Sequence, residues 1–172
     1  GGLRDSRAHK EIVAAQTVAG ELEADLDAGP RHRLPRPGEF AGFLADLARA
    51  PWLGEVGAVL TGYLGGADQV APIARLVETV KQRSPSALFL CDPIVGDSDG
   101  LFQPADVASA IRDRLVPLAD IATPNRHELA WLAGRSLDDN AAVVAAVRSL
   151  GRREMVVTSA FAPAGEIGTL VV

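Results

Sequence analysis

Residues 91–97 read Cys-Asp-Pro-Ile-Val-Gly-Asp, and residues 123–129 read Thr-Pro-Asn-Arg-His-Glu-Leu. Each run follows a short apolar stretch, Ala87-Leu88-Phe89-Leu90 in the first case and Ala119-Asp120-Ile121-Ala122 in the second. Each therefore puts carboxylates and small polar groups where a buried strand gives way to a loop. In open parallel sheets that strand edge is where ligands bind. Two carboxylate-bearing loops on one edge suggest a site for a metal and a phosphorylated ligand.

Working outward, strands and helices alternate. Ala58-Val59-Leu60 reads as a buried strand ending at Thr61-Gly62-Tyr63-Leu64-Gly65-Gly66. A helix is expected over 67–83, with Val70, Ile73, Ala74, Val77 and Val80 on one face. Strand 87–91 and helix 104–115 follow, the helix turning Val107, Ala108, Ile111 and Leu115 inward. Strand 119–122, helix 126–134 and a helix from about Asp139 to Leu150 come next, with Gly151 as its C-cap. Met155-Val156-Val157-Thr158 and the run from Ile167 to Val172 read as strands. The alternation predicts an α/β fold, a mostly parallel sheet with helices on both faces.

Upstream, Val18, Leu22 and Leu26 recur every four residues, and a helix is expected over 5–28, stopped by Gly29-Pro30. The Arg-rich stretch 31–36 reads as a solvated loop. A second helix is expected from Glu39 to Ala50, burying Phe40, Phe43, Leu44 and Leu47. The division expected is a divergent N-terminal helix over 1–30 and a partial α/β domain over 31–172.

The 172 residues suffice for one domain with a core, and 48% hydrophobic content argues for a globular chain. A net charge of −5 weakens the case for a nucleic-acid partner. The lone cysteine, Cys91, permits no internal disulfide and suits a reducing compartment; a buried, inert thiol is expected. No apolar run approaches membrane-spanning length, and no signal peptide is visible. A cytoplasmic protein is expected.

Several residues could carry chemistry. Asp92 and Asp97 share one loop, Pro93 fixes its backbone, and Gly96 is expected to turn at positive φ and bring Asp97 back. Two such carboxylates can hold a hard cation, although Asp, Pro and Gly also make ordinary turns. Asn125 with Glu128 three residues on has the form of a capping box. The same helix start also offers free N–H groups to a phosphate, and Glu128 could instead face a metal-bound water. Thr158 and Ser159 bring two hydroxyls to the next strand end, and Tyr63 could stack on a flat ring or pack. There is no zinc-spaced Cys/His cluster and no Gly-Lys-Ser/Thr phosphate loop.

Thr-Gly-Tyr-Leu-Gly-Gly at 61–66, Cys-Asp-Pro-Ile-Val-Gly-Asp at 91–97, 115–125 with Glu128-Leu129, and Val-Val-Thr-Ser at 156–159 together resemble the pyridoxal kinases. These belong to the ribokinase-like superfamily, and the likeness covers roughly 57–172. It implies ATP-dependent phosphorylation of the 5′-hydroxymethyl of pyridoxal, pyridoxine or pyridoxamine, with Mg2+ or another divalent metal and K+. Carried over by position, Asp92, Asp97, Thr123, Asn125, Glu128, Thr158 and Ser159 would bind ATP. Asp92, Asp97, Thr123, Glu128 and Thr158 would surround the metals, and Tyr63 would border the pyridoxal ring. Phe102 stands where many relatives have a tyrosine near the nucleotide. A homodimer is the family habit.

Two departures stand out. The family's Gly-Thr-Gly-Asp run, which supplies the anion hole and the catalytic base, has no counterpart up to Val172, and residues 1–30 do not match the family's opening. The resemblance puts the base beyond Val172, so no catalytic residue is expected within the chain. A truncated kinase with impaired transfer is therefore expected. A hydroxymethylpyrimidine kinase and a non-catalytic nucleotide-binding remnant are the alternatives.

Overall fold

A computed structural model describes residues 11–14, 36–151 and 154–172. Its sheet is built from β1 (Glu11–Ala14), β2 (Val56–Thr61), β3 (Leu88–Cys91), β6 (Ile121–Ala122), β7 (Glu154–Ala160) and β8 (Gly168–Val171), side by side in that order. The four pairings from β1 to β7 are parallel, and β8 runs antiparallel to β7. A small antiparallel hairpin, β4 (Gly96–Asp97) and β5 (Gly100–Leu101), lies outside the sheet.

The helices are α1 (Pro37–Leu47), α2 (Val70–Arg83), α3 (Ala105–Ala110), α4 (Arg126–Ala133) and α5 (Asn140–Ser149). Past Ala110 the chain widens into a π-turn, Ile111–Leu115, and tightens again over Val116–Leu118. The parallel strands follow one another across the sheet without reversal. By the right-handed rule for parallel crossovers, the helices between β2 and β7 fall on one face. The sheet's side-chain rows agree. Thr61, Cys91, Ala122 and Met155 lie in register and are all buried. The neighbouring row on the other face, Leu60, Leu90, Ile121 and Glu154, is half-buried or exposed. Of the expected two covered faces, the described helices supply one.

The core follows the sequence periodicity. Val70, Ile73, Ala74, Val77 and Val80 of α2 are buried, as are Val107, Ala108, Ile111 and Leu115. Phe89 in β3 and Met155 in β7 are fully buried. Lys81 pairs with Asp120, whose carboxylate also accepts from the Phe89 amide at 2.7 Å. This pins the start of β6 to β3.

Three expectations are corrected. Residues 11–14 form a strand beside β2, where a helix was expected. The remainder of that helix, its Gly29-Pro30 stop and residues 31–35 lie outside the described residues. In α1 only Phe40 and Leu44 are buried, and Leu47 packs partly against the core. Phe43 is 64% exposed, while α1 packs against α2 and the turn at 67–69. The strand expected from Ile167 begins one residue later, leaving Ile167 exposed. At its far end Val172 continues the pairing: its amide donates to the Met155 carbonyl and its carbonyl accepts from the Met155 amide, both at 3.0 Å. Val172 thus serves the sheet, on the strand next to β7, and packs partly against the core.

Among the described residues no helix is long and apolar enough to cross a membrane.

Candidate functional site

The strand exits are joined sideways beyond the ends of the strands. The Asp92 amide donates to the Thr61 carbonyl at 2.9 Å, Thr123 to Cys91 at 3.0 Å, and Thr158 to Pro124 at 3.1 Å. Asn125 and Thr158 form one further parallel bridge. Asp92, Thr123, Asn125 and Thr158 thus become neighbours by continuation of the sheet.

After Asp92 the loop turns at Ile94, whose φ is +43°. A β-branched residue in this left-handed region is strained. The positive φ expected at Gly96 is therefore found two residues earlier. Gly96 is required for a different reason: a Cβ there would stand 2.6 Å from the Gly100 carbonyl oxygen, inside the β4–β5 hairpin. Asp97 is exposed at the hairpin tip, and its Oδ1 accepts from the Asp99 amide at 2.9 Å.

The start of α4 holds this loop from below. Asn125 Oδ1 accepts from the His127 and Glu128 amides at 2.8 and 2.9 Å, while Glu128 Oε2 accepts from the Asn125 amide at 2.8 Å. This is a complete capping box. The box also reaches across to the loop after β3. Glu128 Oε1 accepts from Val95 N at 2.7 Å and Gly96 N at 3.4 Å, and Asn125 Nδ2 donates to the Gly96 carbonyl at 2.8 Å. The cap expected from sequence is formed: the His127 and Glu128 amides are taken by Asn125. Asn125→Ala is expected to cost about 1–2 kcal/mol, at the upper end for an N-cap because the Gly96 contact is lost too. Urea unfolding of the variant checks this.

Burial governs the site's ionisation. It raises the Asp92 carboxyl above its usual value, against the opposing hydrogen bond of Thr123. Burial also raises Glu128, despite three backbone donors that pull it down, with Asp92's charge adding to the rise. Burial pushes the Cys91 thiol up to about 12, so it stays protonated at neutral pH and is a poor nucleophile. Cys91 is buried, as expected.

Asp92, Asp97, Thr123, Asn125, Glu128 and Thr158 line one cleft of about 320 Å³, together with Ile94, Gly96 and Phe102. Tyr63 and Ser159 are exposed at neighbouring strand ends and are outside this lining. Ile94 was not anticipated as a wall of the cleft; a residue type that disfavours turns gives no local signal for one. The cleft's donors are hard oxygens, suited to Mg2+ rather than to a soft metal. Among the described residues no three His, Cys, Asp or Glu side chains converge to hold a metal by themselves. Mg2+ is commonly held by one or two carboxylates, with water and phosphate oxygens filling its shell.

Residues 50–164 match the family model described as phosphomethylpyrimidine kinase. The chain belongs to that family. It is 37% identical over 147 residues to the pyridoxal kinase PdxY of Deinococcus radiodurans, an alignment covering 79% of this chain and 49% of that protein. With the pyridoxine/pyridoxal/pyridoxamine kinase of Bordetella avium it shares 39% identity over 140 residues, covering 77% and 47%. Among solved structures, the pyridoxal kinase of Leishmania donovani in complex with ADP and pyridoxamine superposes with a TM-score of 0.74 at 27% identity. That match covers 82% of this chain and 50% of the other. The phosphomethylpyrimidine kinase of Clostridium difficile, at 17% identity and TM-score 0.65 over 81% and 59%, shares the fold. The resemblance to pyridoxal kinases and the ribokinase-like fold class read from the sequence are both met. The chain spans about half the length of the curated relatives it matches.

Proposed function

We propose that this cleft binds Mg2+ and ATP, and that the protein is a kinase transferring phosphate to the 5′-hydroxymethyl of pyridoxal, pyridoxine or pyridoxamine. The observation that carries the reading is the cleft itself. Oxygen donors from three successive strand exits converge there, in a chain whose solved relatives include a kinase in complex with ADP and pyridoxamine or pyridoxine.

The roles follow from what each side chain has left to give. Glu128 and Asn125 already spend their oxygens on backbone donors and fix the Val95–Gly96 segment. Asp97, exposed on the hairpin, would take the divalent ion, with Asp92 facing it across the loop. Thr123, Thr158 and Ser159 would contact phosphate or K+, and Tyr63 would border the acceptor ring. Mg2+ would neutralise phosphate charge as transfer proceeds; positioning and electrostatics make up most of phosphoryl-transfer catalysis. None of these residues is assigned as the base, and neither is any other up to Val172. The lone buried thiol and the net charge of −5 support a cytoplasmic enzyme with small-molecule partners.

The lining holds three carboxylates and no lysine or arginine. Bare ATP is repelled from such a surface, so binding must depend on the divalent ion. Calorimetric titration of ATP is expected to show saturable binding with MgCl2 and none with EDTA. Equal binding under both conditions, or none under either, overturns the reading. A hydroxymethylpyrimidine acceptor is the second reading, favoured by the family model that matches residues 50–164. Phosphorylation of pyridoxal and hydroxymethylpyrimidine compared in one assay separates the two.

A further inference from the structure

Gln103 is 4% exposed and lies just past the hairpin, outside the lining of the cleft. Its Nε2 donates to the Ile94 carbonyl at 3.0 Å. Its Oε1 is buried with no protein partner among the described residues. A buried amide whose oxygen has no protein partner adds less stability than one paired at both ends. What the side chain does achieve is specific: it grips the carbonyl of the one strained residue in the loop.

The rest of the loop is held from both sides. The Phe102 and Gln103 amides donate to the Val95 carbonyl at 3.1 and 3.3 Å. Glu128 takes the Val95 and Gly96 amides, and Asn125 the Gly96 carbonyl. Ile94 has no such backing apart from Gln103 Nε2 among these contacts, and between Asp92 and Asp97 it is the one residue with a left-handed backbone. If Ile94 relaxed toward negative φ, the direction of the chain from Asp92 into Asp97 would change.

We propose that Gln103 is a positioning residue: its amide holds Ile94 in the left-handed conformation and so sets where Asp97 stands relative to Asp92 across the cleft. The functional part of this rests on the cleft being the Mg2+–ATP site; the clamp itself does not.

The test is a double-mutant cycle on the full chain with Gln103→Met, which keeps length but removes donor and acceptor, and Ile94→Gly, which tolerates positive φ without help. Hydrogen exchange in the free protein is expected to rise about tenfold at the Val95 and Gly96 amides in Gln103→Met, with α2 and α5 unchanged. Gln103→Met is expected to weaken Mg2+–ADP binding about tenfold in the wild-type background and hardly at all in the Ile94→Gly background. Unchanged exchange at 95–96, or a rise shared equally by α2 and α5, overturns the clamp. Accelerated local exchange with wild-type Mg2+–ADP affinity overturns the positioning role and leaves Gln103 structural. If the wild-type chain binds no Mg2+–ADP, the nucleotide reading and the positioning role fall together, and the exchange data alone decide the clamp.

Discussion

Glu128→Ala is expected to destabilise the protein by about 3 kcal/mol, lowering the melting temperature by roughly 6–12 °C for a chain of this size. The carboxylate accepts from three backbone amides, Val95, Gly96 and Asn125, in a residue that is 4% exposed. Hydrogen bonds to a charged acceptor contribute about 1.5–3 kcal/mol each, and buried donors left without one add their own cost. Part of this is returned, because the charge is held against burial and against Asp92. Glu128→Gln keeps one acceptor oxygen but turns an NH2 toward a backbone N–H, so about half the loss is expected. Urea unfolding of the three proteins measures the series. An alanine variant within about 0.5 kcal/mol of wild type would show that the α4 box does not hold the loop.

This box was half-legible in the sequence. Asn125 and Glu128 stand three apart at a helix start, and that spacing alone gives the cap. The second use of the same atoms, on Val95 and Gly96, joins residues more than thirty positions apart, which no local pattern encodes. The same division runs through the fold. The α2 face is legible because five apolar residues repeat at helical spacing and all of them are buried. Phe43 sits on a similar spacing yet is exposed, because periodicity gives a face and not the width of its partner. Glu11–Ala14 reads as helix by its surroundings, but Ile12 and Val13 are β-branched and an open edge of β2 is available to pair. The apolar run up to Val172 reads as a strand, but only its partner Met155 fixes that it pairs antiparallel. The positive φ was expected at Gly96 because glycine is the default for it; clamps from elsewhere in the chain place it at Ile94. Gln103 escaped for the same reason, its partner being nine residues back across a hairpin.

Asp92→Asn should move stability and ligand binding in opposite directions. Burial raises the Asp92 carboxyl in the folded state, so the native protein holds a proton that the unfolded chain releases. Stability from this group is therefore fully present below the unfolded carboxylate value and is lost as pH rises through the folded one. Glu128 contributes with the same sign, for the same cause. The ionised form of each is held at a cost, and the groups facing Asp92 across the cleft are Asp97 and Glu128, with no cation in the lining. Asparagine removes the charge and can still pair with Thr123. A gain below about 1 kcal/mol at pH 7 is expected, with a flatter fall in stability above the ordinary carboxylate range. Binding goes the other way: loss of a ligating carboxylate is expected to weaken Mg2+–ATP by at least the roughly 10–100-fold that losing an outer-shell partner costs. Denaturation at several pH values, paired with titration of Mg2+–ATP, reads both effects on the same variant. A carboxylate kept only for structure would lower stability when removed and leave the titration unchanged. One kept for a cation lowers the stability of the free protein, and its removal shows as a more stable protein that has lost its ligand.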